Sequence, residues 1–249
     1  MQTFHWALPF LLCHRCWAFI MSNRIPTSTR SYKASISKRS LAQQDDNDEK
    51  DPSNSFLFLG KSSSATIEPG VVLVAPSHEY NHFLMRSAVF IYDQGLNEFD
   101  EMVTRGVIID HPTAFTMNEM GVDELGNLGE NILWRGGDAG NDTVMFLHSH
   151  PIDNTSNNKI GVSGIYEGGL QEVKQKVNSG DLNSDGCKFF FNYIEFREKE
   201  LQSIMSETDS DGDAWAAMRV PKEFITNGEY ARGDAWSYLR NHMKSRHYL

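Results

Sequence analysis

The sequence predicts an α+β domain in which a sheet of short strands is covered by a few helices. Three apolar, β-branched runs occupy positions 71–74, 88–92 and 107–109. Each run is too short for a helix and is bounded by Gly, Pro, Asn or Asp, which favours strands. By contrast, Leu170, Val173 and Val177 recur at helical spacing before Gly180, a typical helix stop. Buried strands and a covering helix together indicate this class.

The remaining elements follow from the same patterns in chain order. Thr116 with Glu119 three residues later forms a capping-box pattern, which predicts a short helix over residues 116–125. The aromatic run at 187–196 predicts another strand, and FLFLG at 56–60 could dock as an extra strand or a short helix. Further strands are predicted at 132–134, 143–148 and 215–220, a helix at 198–205, and a loosely attached terminal helix after residue 227.

The charge of the chain is unevenly distributed. The 249 residues carry a formal net charge of −10, but residues 1–40 hold six of the 23 basic residues and none of the 33 acidic ones. The remainder therefore has 17 basic and 33 acidic residues, a net charge of −16. Such a surface repels phosphate backbones, so the sequence predicts no nucleic-acid partner. Only Cys187 of the three cysteines lies beyond residue 40, which indicates a fold without structural disulfides.

Residues 1–40 have the composition of a targeting leader. An apolar, signal-like stretch precedes a transit-like segment rich in Ser, Thr, Arg and Lys. The arrangement resembles the bipartite plastid leaders of algae with secondary plastids, with Phe19 at the junction. We therefore expect a plastid (chloroplast) location. His14 and Arg15 interrupt the apolar stretch, which leaves the mitochondrion as the alternative.

Four segments follow from these patterns. They are the leader at 1–40, a flexible linker at 41–69, the folded domain at 70–226 and a basic C-terminal tail at 227–249. Beyond the leader, no run reaches the roughly 18 to 20 apolar residues of a membrane-spanning helix. The sequence therefore predicts no transmembrane segment in the mature chain.

A candidate metal site lies at the end of the predicted strand 143–148. His148 and His150 are alternate residues, so their imidazoles would face the same side of the strand and could hold one zinc ion. The sequence HSHP resembles the metal-binding signature of the JAMM metalloproteases. That signature continues with a Ser and an Asp ligand, at places where this chain has Asn158 and Gly161. Catalytic zinc normally has three protein ligands, so the fold would have to supply another.

Two further polar motifs each have a functional and a structural interpretation. Arg135, Gly136 and Gly137 could present backbone amides to an anion, and a tight turn explains the same residues equally well. Residues 181–186 match the first half of an EF-hand loop, but Asn192 stands where the bidentate Glu should be. This second motif is therefore interpreted as a polar turn before the aromatic strand.

The order of short motifs between residues 70 and 226 resembles the AlgH family, also called YqgE/AlgH. The family's G-L-V-I-N-R-P appears here as GVIIDHP at 106–112, its G-G-P as GGD at 136–138, and its V-L-H as FLH at 146–148. Four further motifs are similar. Residues 71–76 resemble the family's opening strand with a Pro turn, and residues 87–91 resemble its Ser-Val strand. Residues 192–202 resemble its G-Y-x-G-W with Q-L-E, and residues 214–215 resemble its later A-W. In this chain Asp110 and His111 replace Asn-Arg, Asp138 replaces Pro and Phe196 replaces Trp.

The resemblance implies an α+β fold in which a bifurcated, barrel-like β-sheet is flanked by helices. Members of this family are mostly uncharacterised and are often labelled transcriptional regulators. We therefore expect a non-catalytic domain that binds a ligand or a protein in an organelle. A regulatory role is compatible with this expectation. The polar groups expected to line its cleft are Asp110, His111, Arg135, Gly136, Gly137 and His148.

The alternative is a zinc-dependent peptide or amide hydrolase that uses His148 and His150, with Glu167 or Asp110 as the third ligand. For the binding domain we predict no cofactor and no metal. Its partner would be an unidentified protein or small molecule.

Overall fold

The computed structural model describes residues 55–152 and 157–249. This part of the chain contains eleven strands: β1 Leu57–Lys61, β2 Val72–Val74, β3 Ala88–Leu96, β4 Met102–Ile108, β5 Pro112–Thr116, β6 Ile132–Arg135, β7 Ala139–His148, β8 Asn157–Ile160, β9 Ile165–Gly168, β10 Cys187–Arg197 and β11 Ala216–Arg219. Its four α-helices are α1 Leu170–Ser179, α2 Glu198–Ser206, α3 Lys222–Thr226 and α4 Asp234–Ser245. Short 3₁₀ segments span Ser62–Ser64, Asp123–Glu130 and Ser184–Gly186.

The strands form one sheet that forks at β10. The main path runs β1-β11-β2-β3-β4-β10-β7-β9-β8, and β5 and β6 form the side branch. On one edge of β10, residues 189–191 pair with β6 in parallel, whereas residues 194–197 pair with β4 antiparallel. Asn192 lies between these two pairings in the left-handed region, at φ 61°. The predicted α+β class and bifurcated sheet are confirmed, although the path ends at β1 and β8 and the sheet is not closed.

The four helices cover three apolar clusters. Val173 and Val177 of α1 pack with the side branch around Leu133 and Phe189, and α2 packs against the β3 and β4 side of the sheet. The largest cluster lies under α3 and α4, and it includes Trp134, Leu147 and Phe190. Together these clusters supply the hydrophobic stabilisation of the fold.

The predicted loose attachment of the terminal helix is wrong. Ala235, Leu239 and Met243 of α4 are fully buried, at a spacing of four residues. This apolar stripe lies within the basic segment, and i, i+4 side chains share one face of a helix. Trp236 also donates from Nε1 to the carbonyl oxygen of Ala75 at 2.8 Å. The helix is therefore an integral layer of the fold.

The helix predicted at 116–125 is also wrong, although its capping contacts form. The backbone N–H of Thr116 donates to Glu119 Oε2 at 2.8 Å, and the N–H of Glu119 donates to Thr116 Oγ1 at 3.3 Å. Thr116 ends β5, and the chain turns through Gly121 at φ 77° instead of continuing as a helix. The contacts between Thr116 and Glu119 therefore stabilise a turn and not a helix, because a left-handed residue cannot continue an α-helix.

Other differences concern the edges of the sheet. The FLFLG segment supplies β1, which pairs with β11, so part of the predicted linker lies in the sheet. Strands β8 and β9, which the sequence patterns did not predict, extend the sheet beyond β7. The predicted leader and residues 41–54 of the predicted linker lie outside the described residues. Within the described ranges, no helix is both long and apolar enough to span a membrane.

Candidate functional site

The fork brings two separate parts of the chain together. Asp110 and His111 join β4 to β5, and Arg135 ends β6. The backbone N–H of Arg135 donates to the carbonyl oxygen of His111 at 2.8 Å, and Pro112 pairs with Trp134. Strand pairing therefore places the predicted GVIIDHP and RGG motifs side by side.

His111 is a buried imidazole surrounded by positive charge. Its exposed fraction is 6 %, and its Nε2 atom has no hydrogen-bond partner in the described structure. Burial, followed by the charges of Arg232, Arg135 and His82, lowers the pKa of His111 to about 4. The side chain is therefore neutral at pH 7, and its buried Nε2 atom is left without a partner within the described residues.

The side chains that act electrostatically on His111 come from three segments. Arg135 is exposed and its guanidinium lies 4.7 Å from the ring centroid of Phe83. His82 belongs to the turn before β3 and Arg232 to the loop before α4, and both are exposed. Sequence reasoning missed these two residues as site residues, because neither belongs to a motif. The only available signal was the basic character of the C-terminal segment.

Asp110 and Lys188 form a second polar group beneath α4. Asp110 is fully buried, and its Oδ2 accepts a hydrogen bond from the backbone N–H of Trp236 at 3.1 Å. Burial raises the pKa of Asp110 to about 6, against the opposing effects of that hydrogen bond and of Lys188. Its Oδ1 has no hydrogen-bond partner among the described residues. Asp110 thus faces the interior, whereas the cations around Arg135 lie at the surface.

Lys188 was missed by sequence reasoning as a buried site residue. Its Nζ donates to the carbonyl oxygen of Ile109 at 3.1 Å and lies 3.7 Å from the ring centroid of Trp134. Burial lowers the pKa of Lys188 to about 7, and the charge of Asp110 opposes this effect. The signal that could have found it is a lysine on the same strand face as the buried Phe190.

Gly136 and Gly137 are needed because β10 passes close to them. A Cβ on Gly136 would lie 2.3 Å from the Asn192 carbonyl oxygen, and one on Gly137 would lie 2.2 Å from that of Tyr193. The N–H of Gly136 already donates to Phe191 O at 2.8 Å, so it is not free for an anion. The packing interpretation therefore accounts for both glycines.

His148 lies apart from the other five predicted site residues. It is fully buried and stacks with Phe146 and Tyr166, at centroid distances of 5.4 and 5.6 Å. Phe146 belongs to the cluster under α1, whereas Leu147, next along β7, belongs to the cluster under α4. His148 and Asp110 therefore lie on opposite faces of the sheet.

The two imidazoles of the HSHP motif do not converge with a third ligand. The rings of His148 and His150 are stacked with centroids 6.3 Å apart, and His150 Nε2 lies 3.0 Å from the carbonyl oxygen of Asn183. Burial, followed by the charge of His150, lowers the pKa of His148 to about 4. Glu167 pairs across the strands with Leu147, so its side chain lies on the other face.

Elsewhere in the described ranges, one set of three metal-ligand types has its ligand atoms within 4.8 Å of one another. It consists of His78, Asp209 and Asp213, and no residue of the HSHP motif belongs to it. Asp213 already pairs with Arg240, and Asp209 with His78. These contacts account for the cluster as part of the attachment of the loop after α2.

A small cleft of about 110 Å³ adjoins the cation cluster. Phe83 lines this cleft, and its ring also contacts the Arg135 guanidinium. Asp138, the residue after Gly137, lines the cleft as well. Its other polar lining comes from Asn81, Glu195 and Glu200, so it is acidic. Phe83 therefore lies between this acidic cleft and the guanidinium of Arg135.

Comparison with known proteins places this architecture in one family. The AlgH-like family model matches residues 72–247. The UPF0301 protein BF2109 of Bacteroides fragilis is 23 % identical over 178 residues, which cover 70 % of this chain and 83 % of that protein. A UPF0301 protein of Chlorobium chlorochromatii is 27 % identical over 143 residues, covering 56 % and 70 % of the two chains.

A solved structure shows the same fold. The crystal structure of protein DIP2367 from Corynebacterium diphtheriae aligns with a TM-score of 0.55 at 17 % identity, covering 71 % of this chain and 87 % of that one. At this identity the likeness concerns the fold alone. With the family match across the forked sheet, from β2 to the end of α4, this chain belongs to the AlgH-like family.

Proposed function

We propose that this AlgH-like domain is a non-catalytic binding protein that holds its ligand at the fork, around His111 and Arg135. The supporting observation is the buried Nε2 atom of His111, which has no hydrogen-bond partner within the described residues. An unsatisfied buried polar atom costs about 1 to 3 kcal/mol, so most buried polar groups in native proteins are paired. A bound ligand would supply the missing partner.

The chemistry of the described side chains supports binding rather than catalysis. Burial raises the pKa of Cys187 to about 12, so its thiol is not a nucleophile at neutral pH. The side chains that act electrostatically on His111 are the guanidinium groups of Arg232 and Arg135 and the imidazole of His82, which suit ligand binding. Asp110 is held beneath α4 by its hydrogen bond from Trp236.

The test is a ligand screen by NMR on the full chain, with mixtures of small metabolites and with peptides. We expect saturable shifts of resonances around His111 and Arg135, and recovery of the ligand unchanged after prolonged incubation. An Arg135→Ala, His111→Ala double variant should lose these shifts while its folded spectrum remains. Turnover of the ligand, or shifts that survive in the double variant, would contradict the proposal.

The hydrolase remains the weaker alternative, because within the described ranges the stacked imidazoles of His148 and His150 lack a third ligand. Its test is the zinc content of the purified chain after dialysis without chelator, beside a His150→Ala variant. About one zinc per chain that is lost in the variant would favour the hydrolase.

We also propose import into a plastid, on the composition of residues 1–40. The test is the full chain fused at its C-terminus to a fluorescent protein and expressed in an alga with secondary plastids. We expect plastid fluorescence that is lost when residues 1–40 are deleted. Fluorescence in mitochondria would favour the alternative location.

A further inference from the structure

We propose that His82, His111, Arg135 and Arg232 form a binding site for an oxyanion, which is the chemistry that a phosphate group and a carboxylate share. The proposal deepens the proposed function and rests on it, because it names the ligand class for the same place. We call these four residues the oxyanion cluster.

The first support is the sign of the charges. Every charged group that acts appreciably on His111 is a cation or becomes one on protonation, namely Arg232, Arg135 and His82. Among the described residues, no carboxylate forms an ion pair with any member of the oxyanion cluster. This concentration of positive charge occurs in a chain whose net charge is −10. Gathering uncompensated cations is unfavourable, and an anion would relieve that repulsion.

The second support is the arrangement of donors. His111 is buried, so its unpaired Nε2 is screened from solvent, whereas the other three side chains are exposed. The guanidinium of Arg135 lies over the ring of Phe83, which supports the side chain and leaves its N–H edge for a bidentate contact. In its Nε2–H tautomer, neutral His111 would donate one further hydrogen bond to the same oxyanion.

The third support limits the size of the ligand. The acidic groups Asp138 and Glu200 lie beyond Phe83 in the adjoining cleft, where Glu195 is paired with Arg105. A long polyanion crossing this surface would meet them, and it would also meet the negative remainder of the chain. The cluster therefore fits a small molecule or a single terminal group with one oxyanion.

The experiment titrates the full chain with inorganic phosphate, and separately with acetate, at constant ionic strength and neutral pH. The readouts are the NMR resonances of the His111 and His82 rings and of the Arg135 side chain. We compare Arg135→Gln and Arg232→Gln with the matched control Lys176→Gln. Lys176 is exposed on α1 and is not among the charges that act on His111.

We expect saturable shifts at the cluster with at least one of the two anions. Each of Arg135→Gln and Arg232→Gln should weaken the affinity about tenfold, as expected for loss of one charge-assisted contact. Lys176→Gln should bind as the wild type does. The ratio of the phosphate to the acetate affinity then identifies the source of the oxyanion.

Two results would overturn the proposal. One is the absence of saturable shifts at His111 with either anion, and the other is equal weakening in the Lys176→Gln control, which would indicate general screening. If both anions fail while the ligand screen still finds a neutral or cationic ligand at His111, only the oxyanion chemistry is wrong. If that screen also finds nothing at the fork, the proposed function fails as well.

Discussion

At the scale of single residues, Lys188 combines burial with a titratable charge. Burial lowers its pKa in the folded protein to about 7, from the ordinary value of 10.5. Between these two values the unfolded chain binds a proton that the folded chain does not, so the free energy of unfolding rises with pH. The hydrogen bond to Ile109 and the contact with the Trp134 ring hold the amine in place across this range.

We predict that Lys188→Met abolishes this rise. In the wild type, the free energy of unfolding should increase by up to about 1.4 kcal/mol per pH unit between about pH 7 and pH 8. In the variant it should stay level over this range, because methionine fills a similar volume without a titratable group. At higher pH the buried Cys187 thiol, whose pKa burial raises from 9.0, makes the stability of both proteins fall. Urea unfolding at several pH values measures both slopes, and Lys176→Met on the exposed side of α1 serves as the control. A rise that persists in Lys188→Met would mean that another group causes it.

At the scale of elements, the fork depends on the close approach of β6 and β10. Gly136 and Gly137 leave β6 where a Cβ would meet the β10 backbone, and the N–H of Gly136 bonds to Phe191 across this gap. Because Asn192 has a left-handed backbone at the same point, β10 can change partners from β6 to β4. The fork in turn places His111 next to Arg135.

We predict that Gly137→Ala destabilises the fold by about 3 kcal/mol or prevents folding, because its methyl group would overlap the Tyr193 carbonyl. The matched control is Gly95→Ala in β3, where a Cβ would have only an ordinary contact at 3.9 Å. Thermal and urea unfolding of the two variants measure the difference. Equal stability of Gly137→Ala and Gly95→Ala would show that β10 can move away from β6.

The attachment of α4 depends on a buried ion pair. Arg240 and Asp213 are paired with exposed side-chain fractions of 5 % and 15 %, and Asp213 also accepts a hydrogen bond from the backbone N–H of Ser77. Burial raises the pKa of Asp213, but the bonds from Ser77 and Arg240 outweigh this and hold it below its usual range. The resulting stabilisation is present above the unfolded-state pKa and is lost as the pH falls through the folded-state value.

We predict that Asp213→Ala lowers the free energy of unfolding by about 3 kcal/mol at neutral pH, because it leaves the Arg240 charge buried without a partner. Amide hydrogen exchange in α4 should accelerate more than exchange in α1. The control is Asp211→Ala in the same loop, whose side chain is exposed. If exchange in α4 is unchanged, the apolar stripe of Ala235, Leu239 and Met243 suffices to attach the helix.

At the scale of the whole molecule, buried titratable groups set the response to acid. Burial lowers the folded-state pKa of His111 and of His148 to about 4, below the ordinary 6.5. Between these values the unfolded chain binds more protons, so both groups make stability rise with pH. Asp110 acts in the opposite direction, because burial raises its pKa from 3.8 to about 6.

We predict that the free energy of unfolding increases between about pH 4 and pH 6.5, by roughly 1 kcal/mol per pH unit. Burial lowers the pKa of His150 and His242 as well, so the four histidines outnumber the two carboxyl groups, Asp110 and Glu167, whose pKa burial raises. Equilibrium urea unfolding across this range measures the slope, with constant ionic strength as the control. A slope that is flat or negative would show that the histidines reach solvent in the folded state.

Much of the fold could be predicted because its signals are local. Strands β2, β3, β4 and β10 and helix α2 follow from runs of apolar residues and the polar residues that bound them. Local signals gave a wrong prediction at Thr116 and Glu119, where the capping contacts form in a turn. They also did so at α4, where the basic residues suggested a loose tail although an apolar stripe runs along the helix. Strands β8 and β9 are short and polar, so pairing with β7 defines them better than their own sequence does.

By itself the sequence determined the α+β class, the family motifs and the acidic charge. Five of the six candidate residues lie side by side at the fork because β5 pairs with β6. Only the tertiary structure decided that His148 lies on the opposite face, that Lys188 is buried against Trp134, and that Arg232 and His82 act electrostatically on His111. The physical reason is range. Periodicity and turn chemistry act over a few residues, whereas the pairing of Pro112 with Trp134 and the hydrogen bond from Trp236 to Asp110 join positions that are far apart in the chain.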